Sequence, residues 1–360
     1  MSTSMSTSDS STAELGLRPE VFAEAAEAPI EAAKACELRE AARVLAEAGL
    51  IGVAASEADG GLGLPIDFAL PIAEVAGRLQ LRMPLVEQIL LAKAFGNASS
   101  SADDGAEGTA GRAIAAALAA GERLGCIAWQ GSLSEGMAGH ARQAAQCDWV
   151  LVADESSAGE SILLDQESRG GASLLEVAGL AVEADAALDP DLPTSWLQLA
   201  NGRVVARVVA RLSPSAFAQL RKDACILLAG FVTGAAQGAI ARTATYVATR
   251  VQFGRPLSAK QAVRHWMARM QLVTEVSAAA IRRALAVDEY GLGRDARPML
   301  AGAIANAAFV LEKAIHLHGG MGFTWEMPLH RSLREIRAID AFCGSGDAYK
   351  QIGLRFIESA

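Results

Sequence analysis

The sequence predicts a mainly α-helical protein with a small β domain in its middle. Apolar residues make up 51% of the 360 residues, so the chain has enough hydrophobic content to fold around large cores. Aromatics are only 5% and alanine runs through much of the chain, which favours helix. Between residues 121 and 210 the texture changes to short β-like runs separated by turn residues. The reading places a disordered tail at 1–12, a helical domain at 13–120, a shortened antiparallel β domain at 121–210 and a four-helix bundle at 211–360.

The opening "MSTSMSTSDSST" is Ser/Thr-rich, with no basic segment and no apolar run of the secretory type. Residues 37–48 have helical spacing, and Gly49 follows as a C-cap. "EADGGLGLP" (57–65) is a turn cluster, after which helical patterns resume at 67–77 and 85–95. The β-like runs are 124–129, 148–153, 161–165, 173–177 and 203–209, with a Pro-rich connector at 188–195. Ser213-Pro214 is an N-cap and N1 pair, and a helix runs from there to about Thr249. Further helices are read from near Ser258, from 297 to 317 and from near Ser345. Within the first of these bundle helices, Ala224 to Ala241 are 18 residues without a charge. Thr233, Gln237 and the following Arg242 favour a buried bundle helix over a membrane span.

Net charge is −9 and no basic stripe appears, which argues against a nucleic-acid partner. Cys36, Cys126, Cys147, Cys225 and Cys343 are odd in number and lack CxxC spacing. That pattern argues against a disulfide framework or zinc site and fits a reducing cytoplasm.

Four segments are candidates for chemistry. In "HLHGGMGF" (316–323), His316 and His318 fall about 200° apart on a helix and make no metal pair. Gly319 and Gly320 end a helix, or let a ligand lie against the main chain. In "RVQFGRPLSAKQ" (250–261), Arg250 and Arg255 have the donors to hold a phosphate, and Phe253 covers a ring or fills the bundle end. "TWEMPLHRSLREIR" (324–337) carries Glu326, His330 and Arg331 in a charge run that reads as surface or intersubunit contact. In "AFCGSGDAY" (341–349), Cys343 is either an exposed nucleophile on a Gly/Ser turn or a placeholder for another side chain.

Together these segments resemble the acyl-CoA dehydrogenase family. "RVQFGRPLSAKQ" is similar to its Arg-x-x-Phe-Gly signature and "HLHGGMGFTWE" to its Gln-x-x-Gly-Gly-x-Gly-Tyr/Phe-Thr-x-Glu signature. "LAEAGLIGVAASEADGGLGLP" (45–65) is similar to its N-terminal Gly-rich stretch. The resemblance implies a helical N-domain, a β middle domain and a C-terminal four-helix bundle. It implies FAD, shared across a subunit interface in dimers or tetramers, and α,β-dehydrogenation of an acyl-CoA thioester. By that match Arg250 and Phe253 meet the FAD diphosphate region from a neighbouring subunit, and Gln261 is a further contact. His316, Gly319 and Gly320 lie along the adenosine part, with His316 in place of the usual Gln, and Ser345 stands at a Thr position suited to FAD.

The resemblance also exposes departures. Most members place a catalytic Glu where this chain has Cys343, and a minority place it near Ala224, with Asp223 beside it on another helix face. Residues 127–139 only loosely match the segment that contacts the flavin. Three functions follow. One is a subunit without its own base, in a hetero-oligomer with a catalytic homologue. Another is a self-sufficient dehydrogenase, homo-oligomeric, using Cys343 or Asp347 as base. The third is a non-redox scaffold.

Overall fold

The computed structural model describes residues 17–98, 105–155, 161–163, 170–185, 189, 192–199, 206–286 and 294–358. The expected tail at 1–12 lies outside them. Among these residues, five α-helices come first: α1 (Val21–Ala33), α2 (Leu38–Glu47), α3 (Leu70–Leu79), α4 (Leu85–Ala98) and α5 (Gly105–Ala119). Seven strands follow: β1 (Gly125–Ser132), β2 (Met137–Arg142), β3 (Trp149–Ala153), β4 (Ala172–Glu176), β5 (Ala181–Ala184), β6 (Thr194–Gln198) and β7 (Val208–Leu212). The chain then returns to helix with α6 (Pro214–Thr249), a two-stranded hairpin of β8 (Val251–Gln252) and β9 (Arg255–Pro256), and α7 (Gln261–Leu285). The last helices are α8 (Arg297–His318), α9 (Leu329–Cys343) and α10 (Ser345–Glu358).

The order helix, sheet, helix is the expected one, with local differences. The sheet order is β5-β6-β2-β1-β3-β4-β7. It is antiparallel except for β1 and β3, which pair in parallel with Gly125 opposite Trp149. The reason is topological. β2 folds back on one edge of β1, so the chain crosses to the other edge and runs forward again. Of the expected run 161–165, Ser161 makes a single bridge to Gln130, and 164 and 165 lie outside the described residues. The region 324–337, read as a surface charge run, contributes most of a further helix, α9, whose Ser332, Glu335, Ile336, Ile339, Phe342 and Cys343 are buried.

The uncharged stretch of α6 is the centre of the molecule. Its most apolar 18-residue window is 83% buried. Gly230, Gly234 and Gly238 recur every four residues and so form one stripe. Against this stripe lies α3. A Cβ on Gly234 would sit 1.9 Å from the Glu74 carbonyl oxygen, and one on Gly77 would sit 1.9 Å from that of Phe231. The two helices therefore touch backbone to backbone, which only glycine permits. The same buried cluster continues from these helices through β1, β3 and β4 into α8 and α9.

Candidate functional site

Two places gather the residues singled out from sequence. The first is where the C-terminal ends of α6 and α8 meet. Tyr246 stacks on His318 at 4.3 Å between ring centroids, and its hydroxyl donates to the His318 carbonyl oxygen at 3.3 Å. The imidazole Nδ1 lies 2.7 Å from the Ala314 carbonyl oxygen, which can only accept, so Nδ1 carries the proton. Burial lowers the His318 pKa below the ordinary imidazole range. This contact joins the two motif-bearing turns.

Beyond α6 the chain forms a tight hairpin. Phe253 at φ +56° and Gly254 at φ +74° are its two central residues, the left-handed pair of a type I′ turn. A phenylalanine rarely adopts that conformation. Phe253 is nonetheless 92% exposed, with the Lys260 ammonium 5.0 Å from its ring centroid. Arg250, Gln261, His316, Gly319 and Gly320 are exposed as well. Gly319 holds φ +58° and ψ −139°, a backbone conformation essentially confined to glycine, and neither Gly319 nor Gly320 has an atom within 4 Å of where a Cβ would be. Nearby, Trp325 is exposed and the guanidinium groups of Arg331 and Arg334 lie 5.4 and 5.1 Å from its centroid. Six of the expected cofactor residues are thus exposed to solvent.

The second place surrounds Cys343, the last residue of α9. Gly344 caps the helix in the left-handed conformation, at φ +62° and ψ +39°. Cys343 is only 2% exposed. Burial pushes its thiol well above the ordinary thiol range, reinforced by Cys225 and Asp340 and opposed by Arg142. A thiol in that environment is neither an exposed nucleophile nor ionised near neutral pH. The Ser345 hydroxyl donates to Asp340 Oδ1 and is also buried. Asp347 is exposed. On α6, Ala224 is fully buried, whereas Asp223 is engaged by Lys93 and Gln219.

Next to Cys343, Phe342 stacks on Trp129 of β1 with ring centroids 5.2 Å apart and planes within 9°. The Arg142 guanidinium lies 6.0 Å from the Phe342 centroid. Its Nε and Nη2 donate to the two oxygens of Glu87 at 2.7 and 2.8 Å, and Nη1 donates to Glu335 at 3.4 Å. All three charged groups are buried. The Glu335 carboxyl is pushed up to about 7, first by burial, with Arg142 pulling it down. This cluster draws on α4, β2 and α9, so it ties all three parts of the chain together. Trp129, Arg142 and Phe342 escaped sequence reasoning because their partners are remote in the chain. The one local signal was the position of Phe342 beside Cys343.

Among the described residues no group of three or more His, Cys, Asp or Glu side chains is placed to hold a metal ion. The family model for the acyl-CoA dehydrogenase C-terminal domain matches residues 222–357. The acyl-CoA dehydrogenase FadE34 of Mycobacterium tuberculosis is 28% identical over 310 residues, which cover 83% of this chain and 39% of that protein. The acyl-CoA dehydrogenase IpdE2 of the same organism is 36% identical over 107 residues, 30% of this chain and 33% of that protein. The matched stretches thus span well under two thirds of either relative. The solved ChsE4–ChsE5 complex from Mycobacterium tuberculosis shares the fold, with a TM-score of 0.74 and 20% identity over 99% of this chain and 99% of that one. Residues 222–357 thus match the acyl-CoA dehydrogenase C-terminal domain, and the chain is similar in sequence to members of that family and shares the fold of the solved complex.

Proposed function

We propose that this chain is a subunit of a hetero-oligomeric acyl-CoA dehydrogenase that lacks its own catalytic base and contributes to FAD binding beside a base-bearing homologue. The observation that carries this reading is the stack of Trp129 on Phe342. The loose flavin-contact match spans 127–139, and the matched base position is Cys343. These two segments would face each other across the flavin ring and the acyl group. Here they touch, and Arg142, Glu87 and Glu335 fill in beside them.

The residues fit FAD at one end and not at the other. Arg250, Phe253, Gln261, His316, Gly319 and Gly320 are exposed, as residues serving a neighbouring chain's cofactor need to be. Arg250 supplies a forked donor for a diphosphate. Gly319 and Gly320 leave the main chain open to close approach. The ring end has no such opening between Trp129 and Phe342. Ser345, matched to a FAD contact, spends its hydroxyl on Asp340.

When bound, FAD supplies the hydride acceptor for α,β-dehydrogenation of an acyl thioester. The α-proton needs a base ionised near neutral pH. Burial keeps the Cys343 thiol protonated, which supports a base supplied by the partner. The ChsE4–ChsE5 relative, a complex of two named chains, is consistent with such pairing. The test is co-expression with an acyl-CoA dehydrogenase homologue that has Glu at the matched turn. The expected result is flavin in the complex, bleached by acyl-CoA, and none in the chain purified alone. Flavin bleached by acyl-CoA in the isolated chain would contradict the reading.

A further inference from the structure

The net charge of −9 hides a basic stripe that whole-chain counting misses. Residues 250–283, from the end of α6 through the hairpin into α7, hold seven arginines and lysines and a single acid, Glu275. The helix α7 turns Met270, Thr274, Ser277, Ile281 and Ala284 into the core. On its other side Arg264, Arg269, Arg282 and Arg283 are exposed, and among them Leu272 and Val276 are 63% and 54% exposed. At 100° per residue these six side chains fall within about 140° of arc, so they share one face.

The charge of that face is not balanced within the chain. Arg264 donates to the Ser258 carbonyl oxygen at 2.7 Å, and Arg269 lies 5.9 and 5.0 Å from the Trp266 and Phe309 centroids. Burial raises the Glu74 carboxyl and Arg282 pulls it down, but the two make no salt bridge. Among the described residues none of the four arginines has an ion-pair partner. Glu275 lies on the same face and accepts from Gln271 at 2.9 Å, one negative charge against four positive ones. An apolar centre with a charged rim is the pattern of a protein interface, whereas a phosphate backbone is met by cations at the centre.

Symmetry narrows the choice of protein. A two-fold pair that sets Leu272 against Val276 of a second copy runs the helices antiparallel. It then brings Arg264 of each copy close to Arg283 of the other, at both ends of the contact. A parallel pair sets each arginine beside its own counterpart. Either way like charges meet, which works against self-pairing. We propose that this face selects the partner: it repels a second copy of this chain and seats a homologous chain whose matching helix presents acids around an apolar centre. That the occupant is a homologue rests on the subunit role proposed above; the polarity of the face does not.

Sedimentation velocity on the full chain tests this, with a charge-reversed copy as the probe: Arg264→Glu/Arg282→Glu/Arg283→Glu. The three positions are exposed, and Arg269 is left in place because it stacks on Trp266. In about 50 mM salt the equimolar mixture is expected to associate at least about tenfold more tightly than either chain alone, and the advantage should shrink in about 500 mM salt. Both chains are acidic overall, so bulk attraction does not mimic this result. The milder Arg264→Gln/Arg282→Gln/Arg283→Gln, measured alone, is expected to self-associate more than the native chain, and it decides the matter if the Glu variant does not fold. A mixture no tighter than the native chain alone overturns the proposal, as does a native dimer as tight as that of the Gln variant. A native chain that binds phosphatidylserine vesicles or a DNA duplex but not the charge-reversed copy overturns it as well. The mixture contains no flavin and no substrate, so failure here leaves the missing base untouched. Flavin chemistry in the isolated chain would strike the subunit role and leave this mixture unaffected.

Discussion

Trp129 and Phe342 stack face to face, 5.2 Å between centroids and 9° between planes, with Cys343 buried immediately beyond. One ring comes from the sheet and the other from a helix more than two hundred residues further along the chain. Their contact draws together the two segments that the family resemblance sets on either side of an active site.

Cys343 is a small apolar filler in this arrangement. Cys343→Ser in the assembled complex is expected to leave turnover within about twofold, because a serine matches its volume and no step uses the thiol. Steady-state kinetics of the complex check this. A loss of a hundredfold would restore the thiol to the chemistry.

Gly234 sets the distance between α3 and α6. A Cβ there would stand 1.9 Å from the Glu74 carbonyl oxygen, which belongs to backbone and cannot swing aside. Gly234→Ala should lower stability by about 3 kcal/mol or more, read from chemical denaturation. A change below about 0.5 kcal/mol would mean the helices are not in backbone contact.

Glu335 makes the fold pH-dependent, and the sign follows from its raised pKa. Its carboxyl titrates at about 7 in the folded chain and in the ordinary carboxylate range when unfolded. Between those values the folded state holds the extra proton, so stability falls as pH rises through the window. Glu335→Gln should match the native chain near pH 5 and exceed it near pH 8, by on the order of 3 kcal/mol. Denaturation at the two pH values decides it. A variant destabilised equally at both would show that Glu335 is held ionised by Arg142.

Phe253 holds a left-handed backbone while almost wholly exposed. Among the described residues the one contact that offsets this strain is that of Lys260. Phe253→Gly should raise the stability of the isolated chain by about 1 kcal/mol. In the complex the same change should lower flavin retention. Thermal melts of the chain and flavin absorbance of the complex read the two effects separately. A variant that left flavin retention untouched would remove Phe253 from the cofactor surface.

Much of the helical frame was legible because its signals are local. Ser213-Pro214 marked the start of α6, and Gly49 marked the turn after α2. The helix α1 went unread, having Pro29 within it. The helix α9 was hidden by its charges. Glu335 looks like a surface residue until Arg142, from a strand nearly two hundred residues earlier, is seen beside it. Strands β2 and β6 lacked a β signature, since "MAGHAR" is built largely of small residues and "TSWLQ" begins inside a Pro-rich connector. The cofactor motifs could be placed from sequence, and Arg250, Phe253, Gln261, His316, Gly319 and Gly320 are exposed. That His316 faces outward while His318 stacks inward on Tyr246 depended on how two helix ends meet.

The central claim is that the chain has no flavin chemistry of its own and acquires it only in a pair. The most direct measurement is the visible spectrum of Cys343→Glu, purified alone and given acyl-CoA. No flavin band and no bleaching are expected, because restoring a carboxylate leaves Trp129 and Phe342 in contact. A flavin band that bleaches with acyl-CoA would show that only the base was missing, and would contradict the account.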